Sequence, residues 1–344
     1  MKRKLRMGMI GGGIGSFIGD VHRKAASIDG MIELVCGAFS SSEEKSIASG
    51  KAISLSETRC YGSYEEMILR EKELPEDIRM DFVAIVTPNH MHFPPAKLAL
   101  ENGFHVVCDK PMTLTLNEAM ELETIVKKSN RLFALTHNYT GHPMVKQARA
   151  MVLNGDLGNI RKIQVQYLQG WLSTAIEKTG QKQASWRMDP KRSGIGGALG
   201  DIGTHAENLV EYITGLQIKE LAADLGKFGK DRILDDDANL LLRMENGAKG
   251  TMSISQIAVG EENNLAIKVY GDKGSLEWHQ ENPNKLISRW LDKPKEVYTP
   301  NGNNLYPESK LASRIPAGHP EGYLEAFANI YKNFALHFIA VSTG

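Results

Sequence analysis

Through its first 140 residues the chain alternates short apolar runs with stretches whose apolar positions recur at helical spacing. The apolar runs are Leu5, Met7, Met9 and Ile10, then residues 32–39, 82–87, 105–108 and 132–136. Between them the spacing predicts helices over 15–27, 64–71, 94–102 and 115–129. Ser41 with Glu44, Ser63 with Glu66 and Thr115 with Glu118 are placed as N-terminal capping boxes. Buried strands separated by amphipathic helices are the signature of βαβ units on a parallel sheet. The second half reads differently. A helix over 143–154 stops at Gly155 and Gly158, and Ile163, Val165 and Tyr167 then alternate with glutamines as a half-exposed strand. Residues 171–192 are irregular, and a helical pattern returns over 198–214 with Gly215 as its stop. From 218 to 298 the period is two. Asn246-Gly247 is a hairpin turn between 238–244 and 248–257, and 271–274 joins 265–270 to 275–278. These runs predict an antiparallel sheet with one packed and one open face. A loop over 301–319 and a helix over 321–341 complete the pattern.

A length of 344 residues suits two domains: 1–140, and 141–344 with the last helix set to pack back on the first domain. The 41 basic and 41 acidic residues balance, which leaves no electrostatic footprint for nucleic acid or an anionic membrane surface. No run of 18 apolar residues is present, so no membrane-spanning helix is expected. The basic-then-apolar start is glycine-rich and is needed as the first strand, which argues against a signal peptide. Three cysteines, Cys36, Cys60 and Cys108, without metal-ligand spacing fit a reduced, cytoplasmic, metal-free protein.

The chemistry begins at Met9–Gly19, a strand, a glycine turn and a helix start. Gly11, Gly13 and Ser16 stand at the positions of a G-x-G-x-x-G dinucleotide fingerprint, with Ser for the third glycine. The first glycine permits the turn, the second admits a pyrophosphate and the third allows close helix–strand packing. Amides at the helix start then face the phosphates. This makes the first domain a doubly wound Rossmann sheet, with Ile14 beside the phosphates. An acidic residue after the second strand would bind the ribose, but Ser40, Ser41 and Ser42 stand there, and Asp29 comes before the strand. The serines suit a 2′-phosphate, with Lys45 as a cation, or equally a helix cap, so NAD and NADP both stay open. Further strand ends carry Thr87-Pro88-Asn89-His90-Met91-His92, Asp109-Lys110-Pro111 and His137-Asn138-Tyr139. A charged pair after a buried strand is costly unless it faces a cleft, which singles out Lys110. Asp201 and His205, at i and i+4, share one helix face.

Taken in order and spacing, these motifs make the chain resemble the Gfo/Idh/MocA family, relatives of glucose–fructose oxidoreductase and inositol dehydrogenase. The resemblance covers nearly the whole length. It implies an N-terminal Rossmann domain, a C-terminal α/β domain with an open, mostly antiparallel sheet, and hydride transfer between NAD or NADP and a hydroxyl or ketone of a sugar, polyol or related carbohydrate. It implies catalytic roles for Lys110, which aligns cofactor and reacting hydroxyl, and for Asp201 and His205, with the histidine as proton donor or acceptor. Gly11, Gly13, Ile14, Ser40, Thr87, Pro88, Asn89, His92, Asp109, Lys110 and Asn138 are expected at the cofactor, and the polar and aromatic side chains His137, Tyr139, Trp186 and Arg187 at the substrate. A homodimer or homotetramer through the C-terminal sheet is expected. Three departures stand out. Asp109 replaces the usual Glu, the glycine loop carries extra residues before His22, and the chain stops soon after its last helix, which is expected to weaken domain docking. Two other functions use the same motifs: a redox-neutral glycosidase that returns the hydride to its own cofactor, and a non-catalytic nicotinamide-binding sensor. The second has no need of Lys110, Asp201 and His205 together.

Overall fold

A computed structural model describes residues 3–343, in two compact units. One runs to Thr136 and takes in the chain from Phe327; the other is His137–Ala326.

The first unit is built from β1 (Leu5–Gly11), α1 (Phe17–Ile28), β2 (Ile32–Ala38), α2 (Glu43–Ala52), α3 (Tyr64–Glu73), β3 (Phe82–Val86), α4 (Phe93–Glu101), β4 (His105–Cys108), α5 (Leu116–Ser129) and β5 (Phe133–Leu135). All five strands are parallel, in the order β2-β1-β3-β4-β5. Every residue of β3 and β4 is buried, as expected of central strands covered on both faces. Each fully buried Val, Ile or Phe there contributes roughly 1.5–3 kcal/mol. Chain order reverses between β1 and β3, the switch point at which open α/β sheets bind ligands beyond their carboxyl ends. The Thr115–Glu118 box is complete, and Ser63 caps α3 with its hydroxyl. Two capping details differ from expectation. Glu66 accepts from Gly62 instead of closing a box with Ser63, and α2 is capped by Ser42, because the Ser40 hydroxyl already accepts the Ser42 amide in the turn leaving β2.

The second unit contains α6 (Pro143–Leu153), β6 (Ile160–Leu168), α7 (Lys182–Arg187), α8 (Pro190–Ser193), α9 (Thr204–Thr214), β7 (Ile218–Gly226), β8 (Asp237–Met244), β9 (Lys249–Ser255), β10 (Asn264–Gly271), β11 (Gly274–His279), β12 (Leu286–Trp290), β13 (Glu296–Tyr298) and α10 (Pro307–Lys310). The sheet order is β13-β12-β11-β10-β6-β9-β8-β7, and every neighbouring pair is antiparallel except β6 with β9. Helices α6 and α9 bury one face through Met144, Val145, Ala148, Leu209, Val210 and Ile213. The other face stays open, and β8 alternates buried and exposed side chains along its length. The hairpin at Asn246-Gly247 forms as read, with Gly247 at φ +87°. The helix predicted over 198–214 differs. It opens as a π-helical turn over Leu199–Gly203 before α9 begins. The stretches expected to be irregular hold the short helices α7, α8 and α10. A final helix, α11 (Tyr323–Thr343), lays Tyr331 and Phe334 against Phe82 within the first unit.

Candidate active site

In the first unit the candidate residues collect where β1, β3, β4 and β5 end. Gly11, Gly12 and Gly15 all take the left-handed backbone that side chains resist. A Cβ on Gly13 would lie 2.8 Å from the Phe39 carbonyl and from Ser49 Oγ, so the turn fits against the end of β2 only as glycine. At Gly15 a Cβ would meet nothing within 4 Å, so open space lies beside the loop. Ser16 is the N-cap of α1 and its hydroxyl accepts the Gly19 amide. The close strand–helix packing sought at Ser16 is made instead by Gly19, whose Cβ would stand 2.3 Å from Gly12 Cα. Arg23 and Ser49 hold the loop from two sides: the guanidinium donates to the Gly12 carbonyl at 2.7 Å, and Ser49 Oγ accepts from the Ile14 amide at 3.2 Å. The Ile14 side chain is 70% exposed, an open apolar wall beside the turn. This cradle fits a dinucleotide pyrophosphate: glycines where a side chain would intrude, and a helix N-terminus behind them.

The neighbouring loops are tied together by His92. Its Nδ1 lies 2.6 Å from the Pro111 carbonyl and its Nε2 2.9 Å from the Thr87 carbonyl, so its ring fixes the turns after β3 and β4. Burial pulls its pKa down, against Asp109 and the two carbonyls. The Thr87 hydroxyl donates to the Met91 carbonyl, and Asn89 is buried in the same turn. Asp109 accepts from Thr136 Oγ1 at 2.8 Å and lies 3.8 Å from His22 Nε2. Burial pushes this carboxyl up, but His22, Lys110 and His92 outweigh it and hold Asp109 well below the usual carboxylate range. Lys110 follows directly, ahead of Pro111.

In the second unit His205 opens α9 inside an aromatic box. Ring centroids of Tyr139, His137 and Tyr167 lie 4.8, 5.4 and 6.1 Å from its imidazole. Tyr139 and Tyr167 share a hydrogen bond of 2.7 Å, and Tyr167 donates to Asn263, which also accepts from Gln169. Burial raises both phenol pKa values, so both stay protonated. Asn138 is buried in the 3-10 turn that carries Tyr139. Asp201 sits in the π-helical turn. Its Oδ2 accepts from Arg187 Nε at 3.0 Å and Gln256 Nε2 at 2.9 Å. Arg187 stacks on Trp186 with 4.3 Å between its Cζ and the ring centroid. Within this unit the structure therefore brings His205 together with His137 and Tyr139, and Asp201 together with Arg187 and Trp186.

The π-helical turn has its own anchor, missed in the sequence. Buried Asp235 accepts the Gly197 and Leu199 amides at 2.7 Å each, and its carbonyl accepts Ala198 N. Next to it, Asp236 accepts Phe228 and Gly229 amides and pairs with Arg232. Arg232 in turn pairs with Glu177 at 3.0 Å. Three consecutive aspartates at the start of a strand were the available signal, since a strand seldom begins with adjacent charges that are both buried. Gln256, just past β9, carried no pattern at all.

Comparison with known proteins agrees with this geometry. Residues 5–137 match the oxidoreductase family with an NAD-binding Rossmann fold, and residues 145–277 match the GFO/IDH/MocA C-terminal domain. The chain is 34% identical to the uncharacterized oxidoreductase YfiI of Bacillus subtilis, over 98% of this chain and 86% of that one. It is similar to an inositol dehydrogenase homolog from Azotobacter vinelandii solved with NADH and myo-inositol: 37% identity, TM-score 0.92, 99% of this chain and 88% of that chain. An oxidoreductase from Sinorhizobium meliloti is 46% identical with TM-score 0.90, covering all of this chain and 91% of that one. A glycine cradle at the switch point of the first unit and similarity along nearly the full length converge: this chain is an NAD-binding oxidoreductase of the Gfo/Idh/MocA family.

Proposed function

We propose that the protein interconverts a hydroxyl and a ketone on a cyclic polyol, sugar or related carbohydrate with NAD(H). The observation that carries this reading is the surroundings of His205, a histidine boxed by Tyr139, His137 and Tyr167 in the same unit as a carboxylate fixed by Arg187 and Gln256. The similarity to a homolog holding NADH and myo-inositol supports the substrate class. When bound, the cofactor supplies the hydride chemistry. In the oxidative direction His205 accepts the hydroxyl proton, while the aromatic box holds the imidazole plane and limits water. Asp201, with one oxygen fixed by two donors, orients a substrate hydroxyl. Lys110 stabilises the developing alkoxide, an electrostatic role that strengthens as water is excluded. NAD is favoured over NADP because Glu43 and Glu44 fill the first turn of α2, directly after Ser40–Ser42, where they repel a 2′-phosphate.

A placed general base is worth roughly 10²–10⁴-fold. His205→Ala should lower turnover on a polyol panel by that order and bind NADH as the parent does in calorimetry. Unchanged turnover removes His205 from the reaction. Cleavage of an aryl glycoside without accumulation of NADH would assign the redox-neutral reaction to the same residues. Tight NADH binding with no turnover across the panel would assign a sensor.

A further inference from the structure

A histidine of the first unit that has no part in the reaction as outlined is wholly buried beside Asp109. His22 lies on the inner face of α1 with no solvent exposure. Its Nδ1 is 2.6 Å from the Tyr331 hydroxyl, and its Nε2 faces Asp109 Oδ1 at 3.8 Å. Phe327 closes the ring edge-on at 4.6 Å between centroids. We propose that His22 is a positioning residue for the Asp109-Lys110 pair, and that Tyr331 sets its tautomer. The inference rests on reading those two residues as cofactor and substrate contacts.

Burial keeps the Tyr331 phenol protonated, so it has a proton to donate. Given to Nδ1, that hydrogen bond makes Nδ1 the acceptor and leaves the ring proton on Nε2, the nitrogen facing Asp109. The opposite tautomer would aim a lone pair at an ionised carboxylate in a buried site, where such opposition is least screened. Which nitrogen carries the proton is thus set by what the other one meets. The separation of 3.8 Å is longer than a direct hydrogen bond, so His22 acts on Asp109 by its N–H dipole. Active-site contacts of this kind tighten when the complex forms. Thr136 donates to the same oxygen, and the two together aim the second carboxylate oxygen and, through the backbone, Lys110.

The test uses the full chain with Tyr331→Phe, His22→Gln, His22→Ala and Asp109→Asn, with NADH as the probe. Nitrogen-15 spectra of histidine-labelled protein read the tautomer, and calorimetry reads NADH affinity. The parent should show His22 as the Nε2–H tautomer. Tyr331→Phe should erase that preference and weaken NADH about 3–10-fold, the size of one hydrogen bond. In the Asp109→Asn background Tyr331→Phe should weaken NADH no further, because groups that act through one another are not additive. His22→Gln, whose amide nitrogen falls near Nε2, should hold NADH within about 3-fold of the parent, whereas His22→Ala should not. An Nδ1–H tautomer in the parent, or Tyr331→Phe and Asp109→Asn effects that simply add, overturns the inference while leaving the cofactor reading intact. A folded parent that binds no NADH overturns both. Should His22→Ala fail to fold, Tyr331→Phe and His22→Gln still decide the matter.

Discussion

Replacing Asp235 by Asn leaves size and shape almost unchanged and removes one acceptor. The parent carboxylate takes two backbone amides, Gly197 and Leu199, at 2.7 Å each. An asparagine can satisfy one of them; its own NH₂ then faces the other amide, donor against donor. A hydrogen bond to a charged group is worth about 1.5–3 kcal/mol, and the site is too buried for water to replace it. For a unit of this size each kcal/mol moves Tm by roughly 2–4 °C, so Asp235→Asn should melt about 3–12 °C below the parent. The lost amide lies at the start of the turn that bears Asp201. Turnover should therefore fall with the melting temperature, and at temperatures where the variant is fully folded kcat should fall more than NADH affinity. Thermal unfolding by circular dichroism and steady-state kinetics on the same samples measure both. A variant that melts within about 1 °C of the parent, or one that is destabilised but has parental kcat when folded, refutes the view that Asp235 holds the π-helical turn in its working geometry.

Four further outcomes follow from the same structure. Gly19→Ala places a methyl 2.3 Å from Gly12 Cα, backbone against backbone, so it should cost about 1–3 kcal/mol in the melting of the first unit and weaken NADH in calorimetry. Lys110→Ala should lose more turnover than Lys110→Arg, and full activity in both would remove Lys110 from the mechanism. Burial pulls His142 and His105 down to about 4, so the folded chain holds them neutral while the unfolded chain protonates them below about 6.5. Their contribution is complete above pH 6.5 and is lost as pH falls towards 4, so stability should drop across that window and drop less in His142→Phe. Glu207 has the opposite sign: burial and Glu211 raise it to about 7, so its contribution is complete below pH 4.5 and is lost as pH rises through 7. Glu207→Gln should raise Tm at pH 8 and leave it unchanged at pH 4.

The sequence alone determined whatever depends on neighbours along the chain. Strand and helix positions in the first half came from the period of apolar residues, because a central parallel strand must be apolar on both faces and its helices on one. The Thr115–Glu118 box and the Asn246-Gly247 hairpin were legible because capping and turning are local events. Tertiary structure decided the rest, wherever a partner lies far away in the chain. Gly19 could not be recognised as the close-packing glycine until α1 was laid against Gly12. Nothing adjacent to Asp201 signals Gln256 or Asp235, which arrive from the ends of strands many residues later. Those later residues bond to the π-helical turn and to the chain entering it, whereas a helical period could only predict a regular helix there. His22 was legible as a histidine on a helix; its role depends on Asp109 and Tyr331 meeting it from opposite sides of one buried ring. Local pattern reports which face is buried, and a buried polar group becomes chemistry only when the fold supplies its partner.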